Sequence, residues 1–254
     1  MLRGKTAIVT GASRGIGRAI ALRLGRDGAN LMLCARDGAA LTEVAAEVGD
    51  NACVMAIDLR EADAAQRVVA QALVEFGNLD ILVNNAGATK RGEFLALTDE
   101  DWMDGYALKL HGAVRMVRSA WPELAQRGGS VVNIAGVGGK TPGAEFTIGG
   151  SVNAAVLSFT KALADVGVRD GVQVNAINPG TVRTDRFEQR MDALAAEKGL
   201  SRQAAEGWFV ASQRVTRVGE PADIAGLVAF LVGPEGRFLH GALIDMDGGA
   251  SKSL

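Results

Sequence analysis

The stretch "VTGASRGIGRAIALRL", residues 9–24, decides the fold. It passes from an apolar run typical of a buried strand, through a glycine-rich turn, into a segment with helical periodicity. In this setting Gly11 permits a tight turn, Gly15 lets the backbone approach a pyrophosphate, and Gly17 lets the helix pack closely on the strand. The flanking strand and helix favour a dinucleotide-binding loop over a plain surface loop.

Outward from this loop, short apolar runs alternate with longer segments of helical periodicity. The runs are "TAIVT", "NLMLCA", "ACVMAID", "LDILVNN", "SVVNIAG", "VQVNAINPG" and "ALIDMDGG". Seven such strands predict an α/β fold, in which residues 1–254 form a single Rossmann-type domain with a doubly wound parallel seven-stranded sheet and helices on both faces. A polar helical insertion at about 184–217 interrupts the alternation, and we interpret it as a substrate lid.

Composition narrows the classes of partner. Of the 254 residues, 48% are hydrophobic and 22% charged, with a net charge of -2, which gives no electrostatic case for nucleic acid or an acidic membrane surface. We expect a small-molecule substrate. No targeting segment or membrane span is apparent, so a cytoplasmic protein is expected. Cys34 and Cys53 are too few for a disulfide framework or a zinc site, so we expect two buried thiols and no metal.

The end of the second strand, "LCARDG", bears on the choice of dinucleotide. An acid there would bind the adenosine ribose diol and repel a 2'-phosphate. The expected position holds Ala35, followed by Arg36, and Arg14 in the phosphate loop lies within reach of the same site. Two arginines favour NADP(H) over NAD(H), although a register shift of two would restore an acid in Asp37. Asp58, after the third strand, is placed either to accept from the adenine amino group or to be solvated.

Four motifs in order, "TGASRGIG" (10–17), "NNAG" (84–87), "NPGTVRT" (178–184) and "DGG" (247–249), resemble the short-chain dehydrogenase/reductase family. The resemblance implies that the second motif lines the adenosine ribose side of the cofactor and that the third flanks the nicotinamide. Together with the loop residues above, the predicted cofactor-binding residues are Gly11, Ser13, Arg14, Gly15, Ile16, Arg36, Asp58, Leu59, Asn85, Ala86, Gly87, Asn153, Pro179, Gly180, Val182 and Thr184.

The resemblance also implies a catalytic tetrad that this sequence lacks. In the family a tyrosine handles the proton, a lysine lowers the pKa of that tyrosine and binds the nicotinamide ribose, and a serine and an asparagine hold the substrate oxygen and a water relay. A gapless registration puts Gly149 at the tyrosine, Asn153 at the lysine, Gly136 at the serine and Lys109 at the asparagine. The only tyrosine, Tyr106, lies on another helix.

Other residues are candidates for the missing roles. Lys109 either restores a cation near the nicotinamide ribose or points into water. Glu145 either acts through water or is a solvated loop carboxylate, and Ser151 caps the helix that we expect to begin there. The two missing side chains at positions 136 and 149 are expected to enlarge the pocket beside the nicotinamide.

Two functions remain open at this point. One is an oxidoreductase that binds NADP(H) and transfers hydride to or from a carbonyl or alcohol by an atypical mechanism. The alternative is a catalytically inactive NADP(H)-binding protein with a sensing or assembly role. The resemblance further implies a homotetramer or homodimer formed through two long helices, at about 100–127 and 151–168.

Overall fold

The computed structural model describes residues 2–252. It confirms a single α/β domain with one parallel sheet of seven strands in the order β3-β2-β1-β4-β5-β6-β7. The strands are β1 (Thr6–Thr10), β2 (Asn30–Ala35), β3 (Ala52–Ala56), β4 (Ile81–Asn84), β5 (Ser130–Ile134), β6 (Gln173–Pro179) and β7 (Leu243–Met246).

Helices cover both faces of the sheet. They are α1 (Gly15–Arg26), α2 (Gly38–Val48), α3 (Ala64–Phe76), α4 (Asp99–Tyr106), α5 (Gly112–Arg127), α6 (Thr147–Asp170), α7 (Asp185–Lys198), α8 (Arg202–Gln213) and α9 (Pro221–Val232). Short 3-10 turns lie at Phe94–Ala96, Val137–Gly139, Ala144–Phe146 and Pro234–Gly236.

Two apolar cores sandwich the sheet because its strands are apolar on both sides. Ala7 and Val9 of β1 pack with α1, α2 and α9, whereas Ile8 between them packs with α3 and α5 on the opposite face. The strand order reverses between β1 and β4, and the loops after these strands diverge there. In open parallel sheets, the crevice at such a switch point is the usual place for a ligand.

Two helical segments differ from the sequence-based expectation. The segment expected as one helix at 100–127 consists of α4 and α5 joined by a π-helical turn, Ala107–His111, which carries Lys109. The expected start of α6 at Ser151 was wrong, because the helix begins at Thr147. The Ser151 hydroxyl donates to the Ile148 carbonyl at 2.9 Å and caps nothing.

The insertion after β6 folds into α7 and α8, which share a small apolar core of their own. Phe187, Met191, Phe209 and Val218 are buried in it, whereas Trp208 remains 46% exposed.

Over residues 2–252, no helix has the length and apolar character needed to cross a membrane.

Candidate functional site

The phosphate loop lies directly against the loop that follows β4. Gly11 has φ +66, and a Cβ there would stand only 2.9 Å from the Cα of Ala86. Helix α1 begins at Gly15, and Arg14 before it gives no side-chain cap, so the first N–H groups of α1 have no capping side chain. The turn is therefore a backbone cradle of the kind that binds a pyrophosphate.

Asn85 fixes the position of this cradle. Its Nδ2 donates to the carbonyl oxygens of Thr10, at 3.0 Å, and Gly11, at 3.1 Å. The Thr10 hydroxyl in turn accepts from the backbone N–H groups of Asn85, at 2.9 Å, and Ala86, at 3.0 Å. Asn85 and Ala86 thus join β1 to β4 at the switch point, and Gly87 follows at the edge of the cleft.

The loop after β6 closes the cleft from the other side. A Cβ on Gly15 would stand 3.2 Å from Cγ2 of Thr184, so these two loops touch. Gly180 follows Pro179 at the end of β6 and donates to the Met246 carbonyl at 3.1 Å, and Val182 is buried and bridged to Gly219. The residues predicted on the loops after β1, β4 and β6 are therefore brought together around one cleft.

Two exposed arginines bear on the choice of dinucleotide, Arg14 in the phosphate loop and Arg36 after β2. The side chains of Arg14 and Arg36 are 77% and 65% exposed, and their nearest carboxylates, Asp185 and Asp58, are each 4.0 Å away. Asp37 does not take the place of the missing acid, since its carboxylate caps α2 by accepting from the Ala40 N–H at 3.1 Å.

Asp58 is held by Arg60 rather than left in solvent. Its Oδ1 accepts from the Arg60 N–H at 3.0 Å and from the guanidinium at 3.2 Å. Burial alone would raise the pKa of Asp58, but these hydrogen bonds and the charges of Arg60 and Arg36 hold it below the usual value. Leu59 is 5% exposed and its carbonyl accepts from Arg115, so its side chain belongs to the core.

Two further loop residues, Ser13 and Ile16, lie at the start of α1. Both are partly buried, and Ile16 packs against the core beneath the phosphate loop. The Ser13 hydroxyl makes no side-chain hydrogen bond with the described residues, and the hydrocarbon side chain of Ile16 leaves only its backbone N–H for an anion.

The position expected for the family serine has a backbone that excludes one. Gly136 has φ +141, where side chains are rarely found, and a Cβ there would lie 2.9 Å from Nδ2 of Asn153. Asn153 itself is 3% exposed, and its Oδ1 finds no hydrogen-bond partner among the described residues. The amide of Asn153 thus lies where the strand end would otherwise carry a side chain.

The expected enlargement of the pocket at Gly149 was wrong. The ring of Phe146 covers this glycine so closely that a Cβ on Gly149 would stand 2.0 Å from Cε2 of the ring. The ring also lies against Gly138, and the guanidinium carbon of Arg91 is 4.5 Å from its centroid. A phenyl ring one turn earlier therefore fills the space left by the missing phenol.

Lys109 points into the protein. Its Nζ donates to the Ala135 carbonyl at 2.6 Å, next to Gly136, and its aliphatic stem runs so close to Gly87 that a Cβ there would be 2.9 Å from Cδ. Burial and the nearby charge of Arg186 lower the pKa of Lys109 to about 8. The side chain thus places an amine with a pKa of about 8 in the cleft between β4 and β5.

The other candidates have less suitable positions. Glu145 is exposed in the 3-10 turn before α6, where its carbonyl accepts from the Gly92 N–H at 3.1 Å. The ring of Tyr106 stacks on Trp102 with centroids 6.5 Å apart, on α4. Neither side chain has a hydrogen bond that directs it into the cleft.

Two site residues were not identified from the sequence. Phe146 could have been noticed from its spacing of three residues before Gly149, which places the two on one face of a helical segment. Arg186 donates from Nη2 to the Gly87 carbonyl at 3.2 Å and so reaches the cleft from α7. Nothing in the sequence distinguishes it from the other arginines of the insertion.

Comparison with known proteins gives a consistent result. A family model described as short chain dehydrogenase matches residues 5–195. The 3-oxoacyl-(acyl-carrier-protein) reductase of Vibrio cholerae is 34% identical over 259 residues, covering 98% of this chain and 98% of the reductase.

Solved structures extend the likeness to the whole fold. An L-sorbose reductase from Gluconobacter frateurii, complexed with NADPH and L-sorbose, has a TM-score of 0.95 at 29% identity and covers 100% of this chain and 98% of its own. A 3-ketoacyl-(acyl-carrier-protein) reductase from Brucella melitensis, complexed with NADH, has a TM-score of 0.86 at 29% identity, with 99% and 100% covered. The chain belongs to the short-chain dehydrogenase family and has its nicotinamide-binding oxidoreductase fold.

Proposed function

We propose that this protein is an NADP(H)-dependent oxidoreductase that interconverts a carbonyl compound and its alcohol, with Lys109 in place of the family tyrosine as the group that carries the proton. The observation that supports this proposal is the amine of Lys109, held 2.6 Å from the Ala135 carbonyl beside Gly136. It brings a titratable group to the end of β5, where the family resemblance leads us to expect the substrate oxygen.

The cleft fits a nicotinamide dinucleotide. Cβ atoms at Gly11 and Gly15 would close the cradle at the start of α1, and both glycines leave it open. A bound nicotinamide supplies or accepts the hydride. The unpartnered Oδ1 of Asn153 is an acceptor that a ribose hydroxyl could satisfy, and the Thr184 side chain lies against the phosphate loop. The loops after β4 and β6 would hold the two halves of the dinucleotide.

The chemistry of Lys109 follows from its pKa of about 8. In the reductive direction, the ammonium form donates a proton to the substrate oxygen as that oxygen gains negative charge. In the oxidative direction, the neutral amine accepts the hydroxyl proton. A group that titrates close to the working pH is suited to both directions, and such assistance typically contributes about 10² to 10⁴ in rate. Water then restores the protonation state of Lys109.

NADP(H) is favoured by the charges at the end of β2. Arg36 is exposed there, Arg14 is exposed in the phosphate loop, and Asp37 is engaged in capping α2. Two guanidinium groups match a 2'-phosphate, which a free acid would repel. Relatives bind either nucleotide, since the sorbose reductase was solved with NADPH and the Brucella reductase with NADH.

We also propose that α7 and α8, which correspond to the insertion at about 184–217, form a lid over the substrate. The small core of α7 and α8 supports movement as a unit.

We further propose that the protein assembles as a homotetramer or homodimer through α5 and α6. Size-exclusion chromatography with light scattering tests the assembly.

One observation favours the alternative of a catalytically inactive NADP(H)-binding protein. The Phe146 ring occupies the space over Gly149 and offers no proton. In this alternative, the cofactor half of the cleft is kept for sensing or assembly. Lys109 then serves only as a hydrogen-bond donor to nearby carbonyl oxygen atoms.

Nucleotide binding and turnover separate the two candidates. NADPH and NADH are titrated by fluorescence, and the saturated protein is then offered L-sorbose, a 3-oxoacyl thioester and a panel of oxo acids. Tight NADPH binding with turnover that depends on Lys109 is the result we expect. Tight binding without turnover on any compound would favour the inactive alternative, and failure to bind either nucleotide would exclude both.

A further inference from the structure

Two kinds of arginine lie in and next to the insertion. Arg183 pairs with Glu188, Glu206 and Glu220. Arg202 pairs with Glu188, Asp192 and Glu206. These pairs fasten α7 to α8 and to the start of α9.

Arg186 and Arg190, by contrast, have no carboxylate within 4.0 Å in residues 2–252. Because they are four residues apart on α7, they lie on the same face of that helix. Arg186 donates to the Gly87 carbonyl, so this face is turned toward the cleft. Partial burial and the charge of Arg14 lower the pKa of Arg186 below its usual value.

Arg190 lies next to a third such cation, Arg91 of the loop after β4. Burial and the charge of Arg91 lower the pKa of Arg190, and Glu145 offsets part of this effect. The guanidinium carbon of Arg190 is 4.9 Å from the ring centroid of Phe209, and that of Arg91 is 4.5 Å from the centroid of Phe146. Rings on one face of a guanidinium orient it and leave its N–H edge available for a planar anion.

Arg91 stands beside the reacting position. Arg91 rests on the same Phe146 ring that covers Gly149, where the family resemblance places its proton donor. The adjacent Gly92 N–H donates to the Glu145 carbonyl, which ties this loop to the start of α6. An anion bound between Arg91 and Arg190 would therefore lie in the same cleft as Lys109, toward α7.

Arginine side chains held close together repel one another, and a bound anion would relieve this repulsion. Glu145 acts on Arg190 and partly offsets the charge of Arg91 there, whereas Arg186 is influenced by the cation Arg14 and Lys109 by the cation Arg186. Arg183 and Arg202 have carboxylate partners, whereas Arg186 and Arg190 have none within 4.0 Å in the described residues, and this contrast favours an anionic ligand beside the latter two.

We propose that the substrate carries an anionic group, a carboxylate or a phosphate, which Arg91 and Arg190 bind at the mouth of the cleft. This inference rests on the proposed function, because it names the class of carbonyl compound that the oxidoreductase takes. Arg186, which is closer to Arg14 and Gly87, faces the cofactor side of the same cleft.

The site is tested first by binding, on protein saturated with NADPH so that the cofactor's own phosphates are accounted for. Malonate and inorganic phosphate are titrated calorimetrically at constant ionic strength. We expect either or both to bind, with the tighter of the two identifying the group, and the Arg91→Gln/Arg190→Gln double variant to bind at least about tenfold more weakly. Lys198→Gln is the matched control, because Lys198 is also on α7 and lies 4.2 Å over the Trp208 ring.

Turnover gives a second, independent readout. For an oxo acid that is reduced, Arg190→Gln should raise KM about tenfold with little change in kcat, while the methyl ester of the same acid should show no change between variant and parent. Absence of malonate and phosphate binding, or equal losses in Lys198→Gln, would overturn the anion site. Anion binding without any turnover would instead count against the proposed function alone. A failure of the parent protein to bind NADPH would do the same.

Discussion

The two halves of the cleft are built in different ways. The half that we propose for the cofactor is built around glycine backbone: Gly11 approaches Ala86, the Asn85 side chain fixes the turn, and the Thr184 side chain lies against it. The catalytic half consists of side chains, and there Phe146 and Lys109 occupy space that the family resemblance assigns to other residues. A backbone cradle can be kept while the chemistry beside it changes, because the two halves share few side chains.

The largest expected effect comes from the catalytic half. Lys109→Met should lower kcat by about 10² to 10⁴, because it removes the proton carrier while keeping a stem of similar length. The affinity for NADPH, measured by fluorescence titration, should change only slightly. Lys140→Met is a suitable control, since Lys140 pairs with Asp245 at the surface. A Lys109→Met enzyme with parental kcat would show that the proton takes another route.

The cofactor half should respond to a single methyl group. Gly11→Ala places a Cβ 2.9 Å from the Cα of Ala86 at φ +66. Overpacking of this kind costs about 1 to 3 kcal/mol, or about fivefold to 150-fold in NADPH affinity if the cradle opens in response. Gly49→Ala, at φ +96 with no neighbour within 4 Å, carries similar strain without the contact. Equal affinities for the two variants would contradict the close approach.

A double-mutant cycle tests whether the Phe146 ring fills the space over Gly149. Gly149→Tyr alone should destabilise the protein by about 1 to 3 kcal/mol in urea unfolding, because its Cβ would stand 2.0 Å from the Phe146 ring. In the Phe146→Ala background the same substitution should cost much less, since the ring is absent. Additive effects of the two changes would mean that Phe146 does not fill this space.

The smallest effect concerns the choice of nucleotide. Arg36→Ala should weaken NADPH binding by several-fold to tenfold and leave NADH binding nearly unchanged, because in our proposal the exposed guanidinium binds the 2'-phosphate, which NADH lacks. Arg3→Ala, at the exposed start of the chain, is the control. A parallel loss of affinity for both nucleotides would indicate a role other than phosphate recognition.

The cofactor half could be predicted from the sequence because its contacts depend on glycines at fixed spacing and on the order of strands and turns. The sheet and the phosphate loop follow from these patterns, whereas Asn85 and Thr184 were assigned to the cofactor by the family resemblance. Asp37 was the exception, since only the structure shows that its carboxylate caps α2.

The catalytic half could not be predicted to the same extent, because it depends on how side chains repack. Registration finds Gly136 and Gly149 where other side chains are expected, but not that φ +141 excludes a serine at the first or that Phe146 covers the second. The inward direction of Lys109 is set by a π-helical turn, for which the sequence has no signal. These features arise from contacts between segments far apart in the chain.

The pH dependence of turnover tests the role of Lys109 most directly. The pKa of about 8 makes the ammonium form dominant below that pH. The kcat for reduction of a carbonyl substrate should therefore be constant below pH 8 and fall with rising pH above it, while oxidation of the alcohol should rise through the same range. In Lys109→Met both breaks should disappear from the residual rate. Identical pH profiles in the parent and Lys109→Met proteins would contradict the assignment.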